Sequence, residues 1–177
     1  MTSVLLVDTI KNSLDSADTV AFTGGIHSPG SVIQMVNSTS STSTTISSTS
    51  VYADITDANV TITPKSTTSK IVLFVNLHIY TTEYSTVNNW RGLLMRVLRG
   101  STEIYGDAGS AYGEGQLYDG TSERWMTYSQ RAFVDSPNTT SATTYKCQGI
   151  SKAGNNIYVN RGNYGAGGTM IAMEIAQ

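Results

Sequence analysis

Few residues of this chain are of the types that carry out acid–base or nucleophilic catalysis. A hydrolytic triad needs a nucleophile, a base and an orienting acid, and the two histidines, His27 and His78, are the available bases of the usual kind. The sequence has no Gly-x-Ser-x-Gly turn that would expose a nucleophilic serine. His78 lies in an alternating strand pattern and His27 in a turn with glycine and proline. We predict structural roles for both, no catalytic residues and no enzymatic activity.

A glycine-rich stretch at residues 103–123 contains several carboxylates. Such a loop could fold around Ca²⁺, or two of its carboxylates could face a glycosidic bond. The spacing does not match an EF-hand loop, in which ligands recur at fixed intervals before a closing glutamate. We therefore predict a solvated surface loop with no metal and no cofactor. The alternative is a polysaccharide depolymerase that uses one or more of Glu103, Asp107 and Glu114.

The same stretch contains three tyrosines, Tyr105, Tyr112 and Tyr118. Tyrosine offers a stacking face and a hydroxyl group at a low cost in conformational entropy, which suits contacts with sugars or proteins. One prediction is that these three residues contact a host receptor or a surface glycan. The other is that they pack into the core or between subunits.

Charge and hydropathy exclude several classes of partner. Eleven basic and thirteen acidic residues give a formal charge of -2, so no positive field would hold nucleic acid or an anionic membrane. The first residues lack the basic region of a signal peptide, and no stretch approaches the roughly 20 apolar residues of a membrane helix. We predict no nucleic acid partner and no membrane insertion. Cys147 is the single cysteine, and we expect it to be a small buried side chain.

The elements that would position these residues are strands. Helical apolar stripes are scarce, while Thr, Ser, Val, Ile and Tyr are abundant. The clearest strand is 69–82, in which Ile71, Leu73, Val75, Leu77 and Ile79 share one face that we expect to be core. Turns at 99–102 and 152–156 predict hairpins. The other expected strands cover residues 31–37, 59–63, 90–99, 103–105, 124–134, 141–150, 155–160 and 169–175.

Many short strands with turns at regular spacing predict an all-β sandwich or a closed barrel. Residues 1–30 are irregular, and we interpret them as an N-terminal arm ahead of a β-domain at 31–177. Residues 38–50 contain only Ser and Thr apart from Ile46. That composition is typical of a disordered linker, although threonine also favours an exposed edge strand or a long loop.

Several phrases, taken together, resemble a group of bacteriophage virion proteins from phages of cyanobacteria, described as tail fibre-like or minor structural proteins. The similarity covers most of the chain from Ser31 onward, and the first phrase resembles an N-terminal anchor of that group. The 104–123 loop departs from the pattern. The phrases are LVDTI at 6–10, PGSVIQ at 29–34, VTITP at 60–64, SKI at 69–71, LRGS at 98–101, VDSP at 134–137, TYK at 144–146 and MIAMEI at 170–175.

This resemblance implies an antiparallel jelly-roll sandwich, similar in shape to the C1q and tumour necrosis factor domains, that forms a homotrimer and is preceded by an attachment arm. It implies a virion protein made in the host cytoplasm, either a capsid decoration (cement) or knob protein or a tail fibre component. Its partners would be other copies of itself, a major capsid protein or a tail or baseplate protein, and in the fibre case a host surface glycan. The expected docking residues in the arm are Val4, Leu5, Leu6, Val7 and Ile10.

Overall fold

The computed structural model describes residues 28–81, 89–106, 114–119, 125–161 and 167–177, and it places all their side chains except those of 89–91, 114–119 and 125. The regular secondary structure of these residues consists of strands, and they contain no helix. The strands are β1 (Val32–Ser40), β2 (Thr44–Ile46), β3 (Ala53–Ile62), β4 (Lys70–Thr81), β5 (Asn89–Arg99), β6 (Thr102–Gly106), β7 (Glu114–Asp119), β8 (Trp125–Asp135), β9 (Thr143–Ser151), β10 (Ile157–Val159) and β11 (Gly168–Ile175).

These strands form two antiparallel sheets. In sheet A the order is β1-β11-β4-β10-β2, and β8 pairs with the full length of β4. The strand β11 pairs with the first part of β4 and β10 with its last residues. In sheet B the order is β3-β9-β5-β6, and β7 pairs with the first part of β5. The predicted all-β, antiparallel architecture is confirmed, and the two sheets enclose one core as in a β-sandwich.

The core follows from the two-residue period of the strands. The inward face of β4 is at most 2% exposed, as the sequence predicts. From sheet B it meets Met95 and Val97 of β5 and Tyr145 and Cys147 of β9, all fully buried. Burial of each large aliphatic side chain contributes about 1.5–3 kcal/mol, so these alternating residues account for much of the cohesion between the sheets. The inward face of β4 consists of Ile71, Leu73, Val75, Leu77 and Ile79.

One end of the sandwich has a polar contact between the sheets. Asp135, at the end of β8 in sheet A, accepts hydrogen bonds from Arg99 Nη1 at 2.8 and 2.9 Å. Arg99 lies in β5 of sheet B, and the Tyr145 hydroxyl of β9 donates to the same carboxylate at 2.8 Å. Arg99 Nη1 also donates to the Ser136 carbonyl at 3.1 Å. A half-buried ion pair therefore connects β8 with both β5 and β9.

Asn160 connects two halves of sheet A. It has a φ of 55° and follows β10, where its backbone amide donates to the His78 carbonyl at 2.8 Å and its Oδ1 accepts from the His78 amide at 3.2 Å. These bonds continue the pairing of β4 between β10 and β11. A Cβ on Gly168 would lie 2.6 Å from the Asn160 side chain, so this site needs glycine.

Three sequence predictions about turns and loops have different outcomes. The 99–102 hairpin is confirmed, with Gly100 at a φ of 58° between β5 and β6. The 152–156 hairpin is wrong, because β9 lies in sheet B and β10 in sheet A, so this turn crosses from one sheet to the other. The Ser/Thr run at 38–50 extends β1 and then forms β2 at the edge of sheet A, which agrees with the edge-strand alternative.

Candidate functional site

The predicted arm residues Val4, Leu5, Leu6, Val7 and Ile10 lie outside the described residues, as do His27, Asp107 and Tyr112. Their docking, turn, catalytic and glycan-contact roles stay predictions. For Glu114 and Tyr118 the structure gives the backbone position on β7, where Tyr118 pairs with Trp90 of β5.

Tyr105 is half-buried and packs against the core. Its ring stacks on Phe133 with centroids 5.7 Å apart and an angle of 11° between the planes. Its hydroxyl accepts a hydrogen bond from Arg131 Nε at 3.2 Å. Both contacts belong to the packing of β6 against β8, which corresponds to the packing alternative for this tyrosine. Glycan contact by the three tyrosines stays a prediction.

Glu103 is exposed, and its carboxylate is 3.3 Å from Arg96 Nη1 in an ion pair on the surface of sheet B. In the part of the chain that the structure describes, no three His, Cys, Asp or Glu side chains group as they would around a metal ion. Glu103 therefore has the environment of a solvated surface carboxylate.

His78 is the titratable side chain with the least usual surroundings. It is fully buried on the outer side of β4, and neither ring nitrogen has a hydrogen-bond partner among the described residues. Its ring meets the edge of Tyr128, with centroids 5.2 Å apart. Burial lowers the pKa of His78, because removal from water disfavours the charged imidazolium. The burial agrees with a structural role, whereas the expected hydrogen bonds to its ring are absent.

The largest unusual surface is the outer side of sheet A, which we call the apolar face. Its members alternate with core residues along four strands, so they point away from sheet B. The described residues include seven strongly exposed large apolar side chains, and six belong to this surface; the seventh, Val51, precedes β3. The apolar face consists of Val32, Met35, Val72, Phe74, Met126, Tyr128, Ala132, Val134, Ile171, Met173 and Ile175.

No member of the apolar face is charged. Charged side chains lie at both ends of the described surface. At one end the Lys70 ammonium donates to the Ser136 hydroxyl at 2.6 Å. At the other end, the Arg161 guanidinium is 5.0 Å from the ring centres of both Tyr80 and Tyr158. A soluble monomer rarely exposes a contiguous apolar patch of more than a few hundred Å². A surface with these properties is typical of a protein–protein interface.

The outer side of sheet B is different. Arg96 Nε donates to Gln148 Oε1 at 2.8 Å, and the Arg96 guanidinium lies 4.0 Å above the Tyr52 ring. Lys146 is 3.0 Å from Asp54, which also accepts a bond from Gln148. This side is covered by hydrogen-bonded polar groups suited to water. The two outer sides of the sandwich therefore have opposite chemical character.

A groove of about 510 Å³ crosses the middle of the apolar face. Phe74, Ala132 and Ile171 form its apolar wall, and Asn76, Gln130 and Thr169 form a polar wall; Val75 and Arg131 also line it. The two walls are adjacent rows of the sheet, because each triplet is made of cross-strand neighbours from β4, β8 and β11.

Sequence reasoning missed the apolar face, although a signal for it is present. In β11 the residues Met170, Ile171, Ala172 and Met173 are apolar at both parities, and β4 has Val72 and Phe74 on its outer side. Strands that are apolar on both sides are typically covered on both sides. In the structure the outer side of β4 is buried at His78 and Tyr80 and exposed at Phe74.

Comparison with known proteins gives little further information. No family model matches the chain, and no curated protein matches it. Among solved structures, the dimeric latent PorU from Porphyromonas gingivalis aligns with 88% of this chain at 10% identity and a TM-score of 0.30. The chain spans 14% of the length of that protein. The described residues contain no helix with the length and hydropathy to cross a membrane.

Proposed function

We propose that this chain is a non-enzymatic virion structural protein that forms a homotrimer through the apolar face and attaches to a phage particle through its N-terminal arm. The observation that supports assembly most directly is the exposure of Met35, Met126 and Val134 at 56–63% on an uncharged sheet surface. Contact between copies would remove these side chains from water, and each Å² of apolar area buried contributes about 25 cal/mol.

A second copy of this chain is the partner that best fits the apolar face. The members of the face are uncharged, so copies of this chain can meet around a symmetry axis without charge repulsion. Closed cyclic symmetry also satisfies every copy equally, which open stacking does not. The number of three copies comes from the resemblance to trimeric virion proteins.

The connectivity supports the jelly-roll part of the proposal. Along the chain, β3, β4 and β5 alternate between sheets B, A and B, and β8, β9 and β11 alternate between A, B and A. A simple meander of hairpins would keep neighbouring strands in one sheet, whereas a double-sheet jelly roll crosses repeatedly between two sheets. The sheet orders β1-β11-β4-β8 and β3-β9-β5-β6 have the four-stranded form of such a fold.

The assembly is tested by the substitution Val134→Lys. Val134 is 63% exposed, so lysine is tolerated in a single copy, but burial of its ammonium between copies is unfavourable. We expect the unaltered protein to sediment with three times the 18.9 kDa mass of one chain and the variant to sediment as a monomer at the same concentration.

Val51→Lys is the matched control, because Val51 is 68% exposed but lies off the apolar face. This variant should remain trimeric. A monomeric unaltered protein, or a Val134→Lys variant that associates as well as Val51→Lys, would contradict assembly through this face.

Attachment to a particle is tested separately by removal of residues 1–21. We expect the shortened chain to keep its number of copies. It should no longer bind to particles prepared without this protein, because the apolar residues at 4–10 are the expected docking groups. The measurement is co-sedimentation with such particles, followed by imaging of the bound sites on the capsid or the tail. Full occupancy by the shortened chain would show that the arm is not the attachment element.

A further inference from the structure

A row of polar side chains interrupts the apolar face. Thr169 of β11, Asn76 of β4 and Gln130 of β8 are direct cross-strand neighbours. The next row toward one end is Ile171, Phe74 and Ala132. The polar row therefore crosses three strands in the middle of a surface that is otherwise suited to apolar contact, and it forms one wall of the groove.

The side-chain amide of Asn76 has an unfavourable environment in the single chain. Asn76 is half-buried, and its Oδ1 atom is shielded from solvent without a hydrogen-bond donor in the part of the chain that the structure describes. A shielded acceptor that lacks a donor is unfavourable. An aliphatic side chain of similar volume would avoid this defect and would extend the apolar row beside Phe74. The Asn76 amide therefore adds no stability to the isolated chain through this atom, and together with Thr169 and Gln130 it places a polar row across the apolar face.

Purely apolar surfaces have no strong preference for one alignment, since contact between them is non-directional. Hydrogen bonds have fixed distances and angles, so a polar row favours the alignment in which its groups find partners. A single buried asparagine can specify the alignment and the number of helices in a coiled coil at a cost in stability. A polar row across a sheet surface can act in the same way.

We propose that the row Thr169, Asn76 and Gln130 selects the alignment and the number of copies in the assembly, through hydrogen bonds to the corresponding row of a neighbouring copy. This inference depends on the proposed self-association through the apolar face. The apolar members supply most of the affinity, and the row excludes shifted or differently numbered assemblies because those would leave its amides unpaired in the groove.

The test is the volume-conserving substitution Asn76→Leu, with Gln130→Leu as a second variant at an exposed position. The measurements are native mass spectrometry for the number of copies and sedimentation for affinity. We expect the unaltered protein to give one stoichiometry. Each variant should give two or more, with a minor species of at least a tenth of the total, and a dissociation constant that is unchanged within threefold or lower.

Asn59→Leu is the matched control, because Asn59 is an exposed asparagine on β3 of sheet B. It should keep the single stoichiometry. The proposal is overturned if both variants in the row keep one stoichiometry, or if they lose affinity more than tenfold without any new species, since the row would then be adhesive only. Failure of the assembly itself is distinguishable, because the unaltered protein would then be monomeric.

Discussion

At the scale of single residues, the surroundings of His78 differ in part from those that its strand position predicts. The alternation of β4 places His78 on the side opposite the core, and sequence reasoning therefore expects a hydrogen-bonded structural residue. In the structure the ring is fully buried, and the described ranges contain no hydrogen-bond partner for either nitrogen. The sequence could not reveal this, because the packing over His78 comes from residues distant in the chain, such as Tyr128 and Asn160.

His78 should make the fold sensitive to mild acid. Burial lowers its pKa below the ordinary 6.5, so as the pH falls below 6.5 the unfolded chain takes up a proton that the folded chain does not. The free energy of unfolding should then decrease by at most about 1.4 kcal/mol per pH unit until the folded pKa is reached. Urea unfolding at pH 7.5 and 5.5, at one protein concentration, measures this change.

The variant His78→Phe is the comparison for that measurement, since it keeps an aromatic ring beside Tyr128 and removes the titrating group. Its stability should depend less steeply on pH over the same interval. An equal pH dependence in both proteins would assign the effect to other groups.

Cys147 agrees with its sequence prediction. It is fully buried, its sulfur is 3.6 Å from that of Met170, and burial raises its thiol pKa to about 12. The thiol is therefore a packing group with little thiolate character.

At the scale of elements, Glu174 connects three segments. It is a fully buried carboxylate on β11, and it accepts hydrogen bonds from Gln34 Nε2 of β1 at 2.6 Å and from the amides of Lys65 and Ser66 at 2.7 and 3.3 Å. Burial raises the pKa of Glu174, but the hydrogen bonds outweigh burial, and the net pKa is below the usual value. This carboxylate therefore holds the β3–β4 turn against sheet A.

Glu174→Gln should destabilise the fold by about 2–3 kcal/mol, because the amide replaces one acceptor oxygen with a donor that faces the donors of the turn. Glu103→Gln is the control at an exposed ion pair, where we expect a change of less than about 1 kcal/mol. Denaturant midpoints of the two variants give the comparison, and equal midpoints would contradict the role of Glu174. In the unaltered protein the contribution is present above pH 4.5 and is lost as the pH falls below it.

The predictability of the elements followed the strength of their alternation. The long strands β4, β5, β8 and β11 are recognisable because apolar residues dominate at least one of their two faces. The start of β3 was missed because its pairing with β9 is interrupted between Asp54 and Asn59, where Asp57 has a φ of 58°. The short strand β2 was left between two alternatives, since Ser and Thr fit a loop and an edge strand equally. Local composition cannot distinguish a loop from a strand here, because β2 is a strand through its pairing with β10, which is distant in the sequence.

At the scale of the whole molecule, the sandwich has one polar and one apolar outer side. The sequence indicated the fold class because the core needs only alternation, which a single strand shows. It did not indicate the candidate interface, because that surface combines residues from β1, β4, β8 and β11 that only the sheet order brings together. In the sequence, Met126 and Val134 look like ordinary strand residues. The pairing of β8 with β4 places them on the apolar face.

The ion pair among Arg99, Asp135 and Tyr145 has a mechanical consequence. An assembly held through the apolar face would apply force to sheet A. Sheet B is attached to it by the core, by this polar contact and by hydrogen bonds of Ser40 and Thr44 with the Thr56 backbone of β3. Apolar contacts allow surfaces to slide with little change in energy, whereas directional bonds lengthen and weaken as soon as the sheets shift. Shear along the strands would therefore be resisted by directional bonds at the end of β8 and between β3 and the β1–β2 segment.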